Sequence, residues 1–288
     1  MIRYLIAGAK RALGLHRPGR SLAVLPNDVF LVSYPKSGNT WVRFLVANIT
    51  RPDDGVDFSS VNRVIPDPEI TTCREFTRVP QPRIIKSHQY FDPRYQCVIY
   101  IVRDPRDVVL SQYHFQRKRK LLADDFPLAE FVNRFLAGQT CAYGSWGENV
   151  VSWLATRYHQ SDFLLLRYED MTANTDHEVA RVVEFLGLDV TPQQIARAVE
   201  RSSADTMRRL EKSQAQQFSS TKDTRQDIPF VRAAKSGGWR KDLPEQFVGQ
   251  IEARWGNVMT FLNYPLVTRA ASGVEPELAG FMPSGPVR

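Results

Sequence analysis

Short apolar runs alternate with longer segments of helical periodicity along most of this chain. Four runs, at 28–34, 83–86, 96–102 and 163–167, predict buried strands, and the third has the β-branched richness of a parallel strand. Apolar residues at helical spacing predict helices between and after the strands: 39–49, 105–116, 128–137, 146–158, 176–186, 192–199 and 244–262. This alternation predicts an α/β domain of three layers, in which helices flank a mainly parallel central sheet.

The remaining segments lack clear periodicity. Residues 202–238 are polar and predict a long loop or lid, and the tail after 268 is rich in Ala, Gly, Ser and Pro. We therefore expect one domain at 26–267, a basic or amphipathic N-terminal extension at 1–25 and a loosely ordered tail at 268–288.

Composition narrows the function classes only partly. Hydrophobic residues make up 43% and charged residues 24%, as in ordinary soluble globular proteins. The net charge of +7 fits an anionic small molecule, a membrane surface or a nucleic acid equally well. Three widely separated cysteines predict reduced thiols in a cytoplasmic protein and argue against a disulfide framework or a zinc site.

The first 20 residues contain an apolar run at 4–9 followed by Lys10 and Arg11. The run is too short for a secretory signal, and no stretch reaches the roughly 18 apolar residues of a membrane span. Two interpretations stay open. The segment is a basic amphipathic helix that makes the protein membrane-peripheral, or it packs on the domain edge or frays.

The chemistry begins directly after the first predicted strand, with Tyr-Pro-Lys-Ser-Gly-Asn-Thr-Trp at 34–41. A strand, a tight loop and a helix N-terminus form an anion site because free N–H groups and the positive helix end face the anion. Gly38 lets the backbone approach a phosphate closely, and Lys36 adds a charge. Because Lys precedes Gly and no strand-ending Asp suits magnesium, we predict a phosphorylated ligand held without a metal.

This string resembles the 5′-phosphosulfate loop of the sulfotransferases that use 3′-phosphoadenosine 5′-phosphosulfate (PAPS), whose usual form is YPKSGTTW. Asn39 replaces Thr and keeps a side chain that can donate a hydrogen bond. The resemblance implies a cytosolic-type domain with a P-loop-like fold, PAPS as donor, PAP as product and no required metal. It also implies donor contacts from the loop residues Pro35, Lys36, Ser37, Gly38, Asn39, Thr40 and Trp41.

Two further segments resemble the nucleotide contacts of this family. Arg103 ends the third predicted strand and Ser111 follows eight residues later, which matches the family's 3′-phosphate motif. Tyr168, within Arg-Tyr-Glu-Asp-Met, matches a Tyr that helps to hold the adenine. Ser203 is a looser match, because Ala204 stands where an aromatic residue is expected.

The segment 230–240 resembles the family's RKGxxGDWK segment, and Arg232 matches the Arg that reaches the 3′-phosphate. Ala233 and Ala234 replace the following Lys and Gly, and Gly238 replaces the Asp. One basic contact is therefore missing from this pattern, and whether Lys235 supplies it stays open.

Lys86-Ser87-His88-Gln89 follows the second predicted strand and resembles the KTHxP segment with the family's catalytic His, although Tyr90 replaces the Pro. We therefore expect His88 to take the acceptor proton as general base. Lys36 would stabilise the leaving phosphate oxygen, and Lys86 with the loop N–H groups would hold the sulfonate.

The predicted reaction is transfer of a sulfuryl group from PAPS to a hydroxyl or amine of a small-molecule, lipid or glycan acceptor. We expect the acceptor pocket in the loops 64–82 and 120–146.

Two alternatives remain: a P-loop-like nucleotide kinase or phosphotransferase, and a non-enzymatic basic protein that binds a membrane or nucleic acid. The basic run 117–120 motivates the second, although such runs are typical of solvated helix ends. No nucleic-acid-binding module is evident, so we expect no nucleic-acid partner. The oligomeric state stays open.

Overall fold

A computed structural model describes residues 10–268 and centres on a four-stranded sheet. The strands are β1 (Val29–Ser33), β2 (Ile84–Ser87), β3 (Cys97–Val102) and β4 (Phe163–Arg167). Their order is β2-β1-β3-β4 and every neighbouring pair is parallel. The predicted parallel sheet is confirmed, with each strand end within one residue of its expected position.

All seven predicted helices are present, together with shorter ones. The helices are α1 (Asn39–Thr50), α2 (Val61–Val64), α3 (Cys73–Phe76), α4 (Pro105–Lys118), α5 (Leu128–Leu136), α6 (Trp146–Arg157), α7 (Tyr168–Ala173), α8 (Thr175–Phe185), α9 (Pro192–Arg201), α10 (Ala204–Gln214), α11 (Trp239–Asp242) and α12 (Glu245–Phe261). Single 3₁₀ turns lie at Gly19–Ser21 and Ala215–Gln217.

The sheet is covered by helices on both faces. Alternate residues of β1 enter opposite cores: Phe30 and Val32 face α4, α5, α6 and α12, whereas Leu31 faces α1, α8 and α9. Because neither face meets water, the central strands are continuously apolar instead of alternating with polar residues. This is why short apolar runs located the strands so closely.

The prediction of a long loop at 202–238 is wrong over its first third. This part contains α10 and a 3₁₀ turn, and only Met207 and Glu211 of α10 are buried. A helix with so few buried apolar side chains leaves almost no apolar periodicity. Its start is instead marked by Ser203, whose side chain accepts a hydrogen bond from the N–H of Thr206.

The interpretation of 117–120 as a solvated helix end is wrong for Lys118. Arg119 and Lys120 are exposed, but Lys118 is 1% exposed. Its ammonium lies 3.1 Å from the Glu211 carboxylate. A buried charge requires such a partner, and that partner comes from α10, far away in the sequence.

The segment before β1 packs on the domain from residue 14 onwards. The His16 carbonyl accepts a hydrogen bond from the Cys73 N–H at 2.9 Å, and the Ala23 carbonyl accepts one from the Arg83 guanidinium. Leu22 is buried in the core. Among residues 10–268, no helix is long and apolar enough to cross a membrane. The predicted tail lies outside the described residues, apart from Thr268.

We expect Leu31→Ala to lower the free energy of unfolding by about 2–5 kcal/mol, because it leaves a cavity in a well-packed core. Denaturant unfolding measures this change. Leu121→Ala is the matched control: Leu121 is 62% exposed and its loss should change the unfolding free energy by less than about 0.5 kcal/mol. Equal losses for the two variants would contradict the placement of β1 between two helical layers.

Candidate active site

The carboxyl ends of the four strands bring the predicted motifs to one edge of the sheet. β1 leads into the loop 34–41, β2 ends before His88, β3 before Arg103 and β4 before Tyr168. Because the strands are parallel and the chain order reverses between β1 and β3, a ligand crevice is expected at this edge. A cavity of about 490 Å³ lies there.

Every predicted site residue except Ser37 and Lys86 lines this cavity. The residues brought together are Pro35, Lys36, Gly38, Asn39, Thr40, Trp41, His88, Arg103, Ser111, Tyr168, Ser203 and Arg232. Ser37 belongs to the loop but is fully buried and does not face the cavity. Lys86 faces a smaller pocket on the other side of His88, where its ammonium lies 2.6 Å from the Asp67 carboxylate.

The loop between β1 and α1 has a tightly constrained backbone. Lys36 has φ 72° and Gly38 has φ 101°, both in the left-handed region. A Cβ on Gly38 would lie 2.5 Å from Cδ2 of Tyr168, and the Tyr168 ring also packs edge-on against Trp41. Glycine is therefore required here both by the backbone angle and by the close approach of Tyr168.

The Lys36 ammonium packs between two aromatic rings, 4.1 Å from the centroid of Phe115 and 4.5 Å from that of Phe230. Burial, together with the nearby charges of Arg103 and Arg232, lowers the pKa of Lys36 to about 7. A bound polyanion would reverse this effect, since it stabilises the charged ammonium. Sequence reasoning missed both rings, although Phe115 lies one helical turn after Ser111 on the same face of α4.

Arg103 is held by several groups at the start of α4. Its guanidinium stacks 4.3 Å above the Tyr168 ring, donates to the carbonyl of Lys235 at 3.2 Å and lies 3.8 Å from the Asp107 carboxylate. Asp107 also accepts hydrogen bonds from the N–H groups of Gly237 and Trp239. Asp107 thus joins the arginine to the chain segment that follows Arg232, a role that its sequence position did not reveal.

The cavity has an apolar wall beside these cations. Its side chains come from α9, α10 and the segment after them: Val199, Ala204, Met207, Phe230 and Val231. Ala234, where the family usually has Gly, adopts a left-handed backbone with φ 51°. The observed backbone thus keeps the conformation for which a glycine is suited.

His88 lies where the cavity meets the smaller pocket. Its Nδ1 lies 2.7 Å from the carbonyl oxygen of Ser33, so the Nδ1–H donates to that oxygen and the lone pair is left on Nε2. Asn149 of α6 donates to the His88 carbonyl at 3.1 Å. Burial, together with the smaller effect of the Lys86 charge, lowers the pKa of His88 to about 3, so the imidazole is neutral at physiological pH.

The side chain of Asn39 connects the loop to β1. Its amide nitrogen donates to the Leu31 carbonyl and to the Ser33 hydroxyl oxygen, both at 3.2 Å. That hydroxyl oxygen lies 3.3 Å from Nδ1 of His88. An amide can donate two hydrogen bonds at once, which a threonine hydroxyl in its place cannot.

Both segments that were expected to form the acceptor pocket reach His88. The ring of Tyr143 packs 5.4 Å from the imidazole, centroid to centroid. Asp67 and Glu69 line the smaller pocket beside it. The surroundings of His88 on this side are therefore polar and aromatic.

A family model described as the sulfotransferase domain matches residues 26–261. The chain belongs to the sulfotransferase family. It is an enzyme that transfers a sulfuryl group from PAPS and releases PAP. Family membership overturns the two alternatives, a nucleotide kinase and a non-enzymatic basic protein.

Relatives and solved structures resemble this sulfotransferase over most of its length. Rat sulfotransferase 2A6 is 33% identical over 196 residues, which cover 64% of this chain and 68% of the rat protein. Bovine sulfotransferase 1A1 is 29% identical over 259 residues, covering 82% and 83%. Mouse sulfotransferase SULT7A1 in complex with PAP superposes with a TM-score of 0.68 at 25% identity, covering 86% and 88% of the two chains.

The chemistry of the sulfotransferase cavity fits a doubly phosphorylated nucleotide. Cations lie along the cavity at Lys36, Arg103 and Arg232, and aromatic and apolar side chains stand beside them. Among residues 10–268, no group of three or more His, Cys, Asp or Glu side chains is arranged to hold a metal ion. The three cysteines are free thiols, and Cys73 lies 3.2 Å from Nε2 of His16.

We expect Gly38→Ala to weaken PAP binding by about tenfold or more, since left-handed strain costs about 1–2 kcal/mol and Tyr168 must also move. Isothermal titration calorimetry with PAP measures the change. Gly187→Ala is the matched control, because Gly187 has φ 61° but a Cβ there meets nothing within 4 Å. Equal PAP affinities in the two variants would show that Gly38 does not shape the loop for the nucleotide.

Proton uptake should accompany PAP binding at pH 8. The phosphates of PAP are then ionised, since their second pKa is about 6, whereas Lys36 with a pKa of about 7 is mostly neutral until the anion binds. PAP affinity should therefore fall as the pH rises above 7. Calorimetry in buffers of different ionisation enthalpy counts the protons. Lys36→Arg should bind PAP without this uptake, and identical buffer dependence in both proteins would contradict the assignment.

Proposed function

We propose that this sulfotransferase uses His88 as the general base for a hydroxyl or amine acceptor bound beside Tyr143. The supporting observation is the hydrogen bond from Nδ1–H of His88 to the Ser33 carbonyl. It orients the ring and leaves the Nε2 lone pair able to take a proton. The low pKa of His88 keeps that lone pair available throughout the physiological pH range.

In the proposed reaction, the acceptor oxygen or nitrogen attacks sulfur while its proton passes to Nε2 of His88. The bond between sulfur and the bridging oxygen breaks, and that oxygen leaves with PAP. Lys36 and the N–H groups at the start of α1 stabilise the charge on the leaving phosphate and the sulfonate. A contact of Lys86 with the sulfonate stays a prediction, and it requires Lys86 to leave the Asp67 carboxylate 2.6 Å away.

We assign the 3′-phosphate to Arg103, Ser111 and Arg232, and the adenine to the side chains around Trp41 and Tyr168. Pro35, Ser37, Gly38, Asn39 and Thr40 shape the loop for the 5′-phosphosulfate. Ser203 lines the cavity at the start of α10 and stays a predicted nucleotide contact. Lys235 lines the cavity and its carbonyl binds Arg103. This location supports Lys235 as the replacement for the basic residue missing at Ala233.

We place the acceptor next to His88, on the side of the smaller pocket. Asp67, Glu69 and Gln89 line the smaller pocket next to His88, whose volume of about 10 Å³ has room for about one water molecule. An acceptor that enters from this side therefore requires these side chains to move. Small molecules, glycans and lipids stay the predicted acceptor classes. Membrane contact through residues 1–20 and a cytoplasmic location stay predictions.

We expect His88→Ala to lower kcat by about 10²–10⁴-fold, the usual contribution of a general base, with little change in PAP affinity. Transfer from labelled PAPS to a simple phenol such as 4-nitrophenol measures the rate. His177→Ala is the control, because the His177 side chain is 64% exposed and lies on α8. In the native enzyme, kcat should show no inflection from His88 between about pH 5 and 8, since its pKa lies below this range. An unchanged kcat in His88→Ala would remove the base from the mechanism.

A further inference from the structure

A buried ion pair borders the nucleotide cavity, and its lysine is one of the lining residues. Lys118 is the last residue of α4 and Glu211 lies on α10, with 3.1 Å between ammonium and carboxylate. Their side chains are 1% and 9% exposed. The family resemblance did not involve either residue.

Both charged groups bind the main chain of one segment, residues 225–232, here called the strap. Lys118 donates to the carbonyls of Arg225 and Ile228, each at 2.8 Å. The Glu211 carboxylate accepts the N–H groups of Phe230 at 2.6 Å and Val231 at 3.1 Å. The strap has no regular secondary structure, so these contacts replace the hydrogen bonds that a helix or strand would supply.

The strap ends in residues that line the nucleotide cavity. Phe230 packs over the Lys36 ammonium at 4.5 Å, and Arg232 lines the cavity near Arg103. A second residue of α10, Arg208, donates to the carbonyl of Arg232 at 2.7 Å. The backbone that carries the Arg232 side chain is therefore fixed from α4 and α10 together.

A buried ion pair is a weak way to stabilise a fold, because desolvation of the two charges offsets most of their attraction. It is well suited to fixing a position, since each charge here satisfies two backbone groups of defined direction. An apolar pair of similar volume would fill the same space but would leave two carbonyls and two N–H groups of the strap without hydrogen-bond partners.

We propose that Lys118 and Glu211 are positioning residues that hold Arg232 against the 3′-phosphate. They thereby set the preference of the enzyme for a 3′-phosphorylated nucleotide over one that lacks this phosphate. The inference rests on the proposed assignment of the 3′-phosphate to Arg103, Ser111 and Arg232. It concerns selectivity and not the transfer step.

The test compares PAP with adenosine 5′-monophosphate, which shares the adenine and the 5′-phosphate. In Lys118→Met and in Glu211→Gln, PAP affinity should fall by about 10- to 100-fold, the value of one or two hydrogen bonds to a charged group. Affinity for the monophosphate should fall at least about threefold less than affinity for PAP; some loss is expected, because the strap also carries Phe230 beside Lys36. Calorimetry supplies both constants, and Glu130→Gln, which breaks an exposed ion pair with Arg134 on α5, is the control.

Hydrogen exchange separates positioning from loss of fold. The N–H groups of Phe230 and Val231 should exchange faster in both variants, while those of β3 stay protected. If Lys118→Met does not fold, Glu211→Gln provides the same comparison, because it keeps the side-chain volume and one acceptor oxygen. If the ratio of the PAP affinity to the monophosphate affinity is the same in the variants as in the native enzyme, the proposal is overturned. A native enzyme that binds PAP no better than the monophosphate would instead refute the 3′-phosphate site itself.

Discussion

The repulsion among cations gathered at the carboxyl edge of a parallel sheet is the constraint that the surrounding contacts must overcome. Lys36, Arg103 and Arg232 line one partly buried cavity, and Asp107 is the carboxylate that lies next to Arg103. Burial is the main cause of the lowered pKa of Lys36, and repulsion from Arg103 and Arg232 adds to it. Like charges stay together only if other groups hold them, and here aromatic rings, strand ends and backbone contacts do so. The binding of a polyanion removes the repulsion, so the fold and the ligand are electrostatically complementary.

The sheet and the main motifs could be predicted from the sequence because their causes are local. A strand covered on both faces must be apolar at each position, as in Val29–Ser33, and a phosphate loop needs its residues in one continuous string. The helix α10 escaped prediction because it buries few apolar side chains. The burial of Lys118 could not be predicted, because its partner Glu211 is far away in the sequence and the residues next to Lys118 do not indicate the pairing.

The phosphosulfate loop and His88, the base of the proposed mechanism, meet at β1. The carbonyl of Ser33 binds His88, while the Ser33 hydroxyl lies between His88 and Asn39 of the loop. Asn39 is also a departure from the usual family pattern, and it uses its second N–H on the Leu31 carbonyl. A single strand end therefore sets the position of the phosphosulfate loop relative to the imidazole. That relation could not be predicted from motif spacing, because it arises from the parallel pairing of β1 with β2.

The hydrogen bond from His88 to Ser33 has an evolutionary consequence, because its acceptor is a main-chain oxygen. Any residue at position 33 that preserves β1 would supply the same carbonyl, so side-chain drift there cannot change the tautomer of His88. Tyr143, Asp67 and Glu69, in contrast, lie in loops beside the same imidazole. Substitutions in these loops therefore leave the main-chain acceptor of His88 in place, so the orientation of the imidazole is tied to the strand itself.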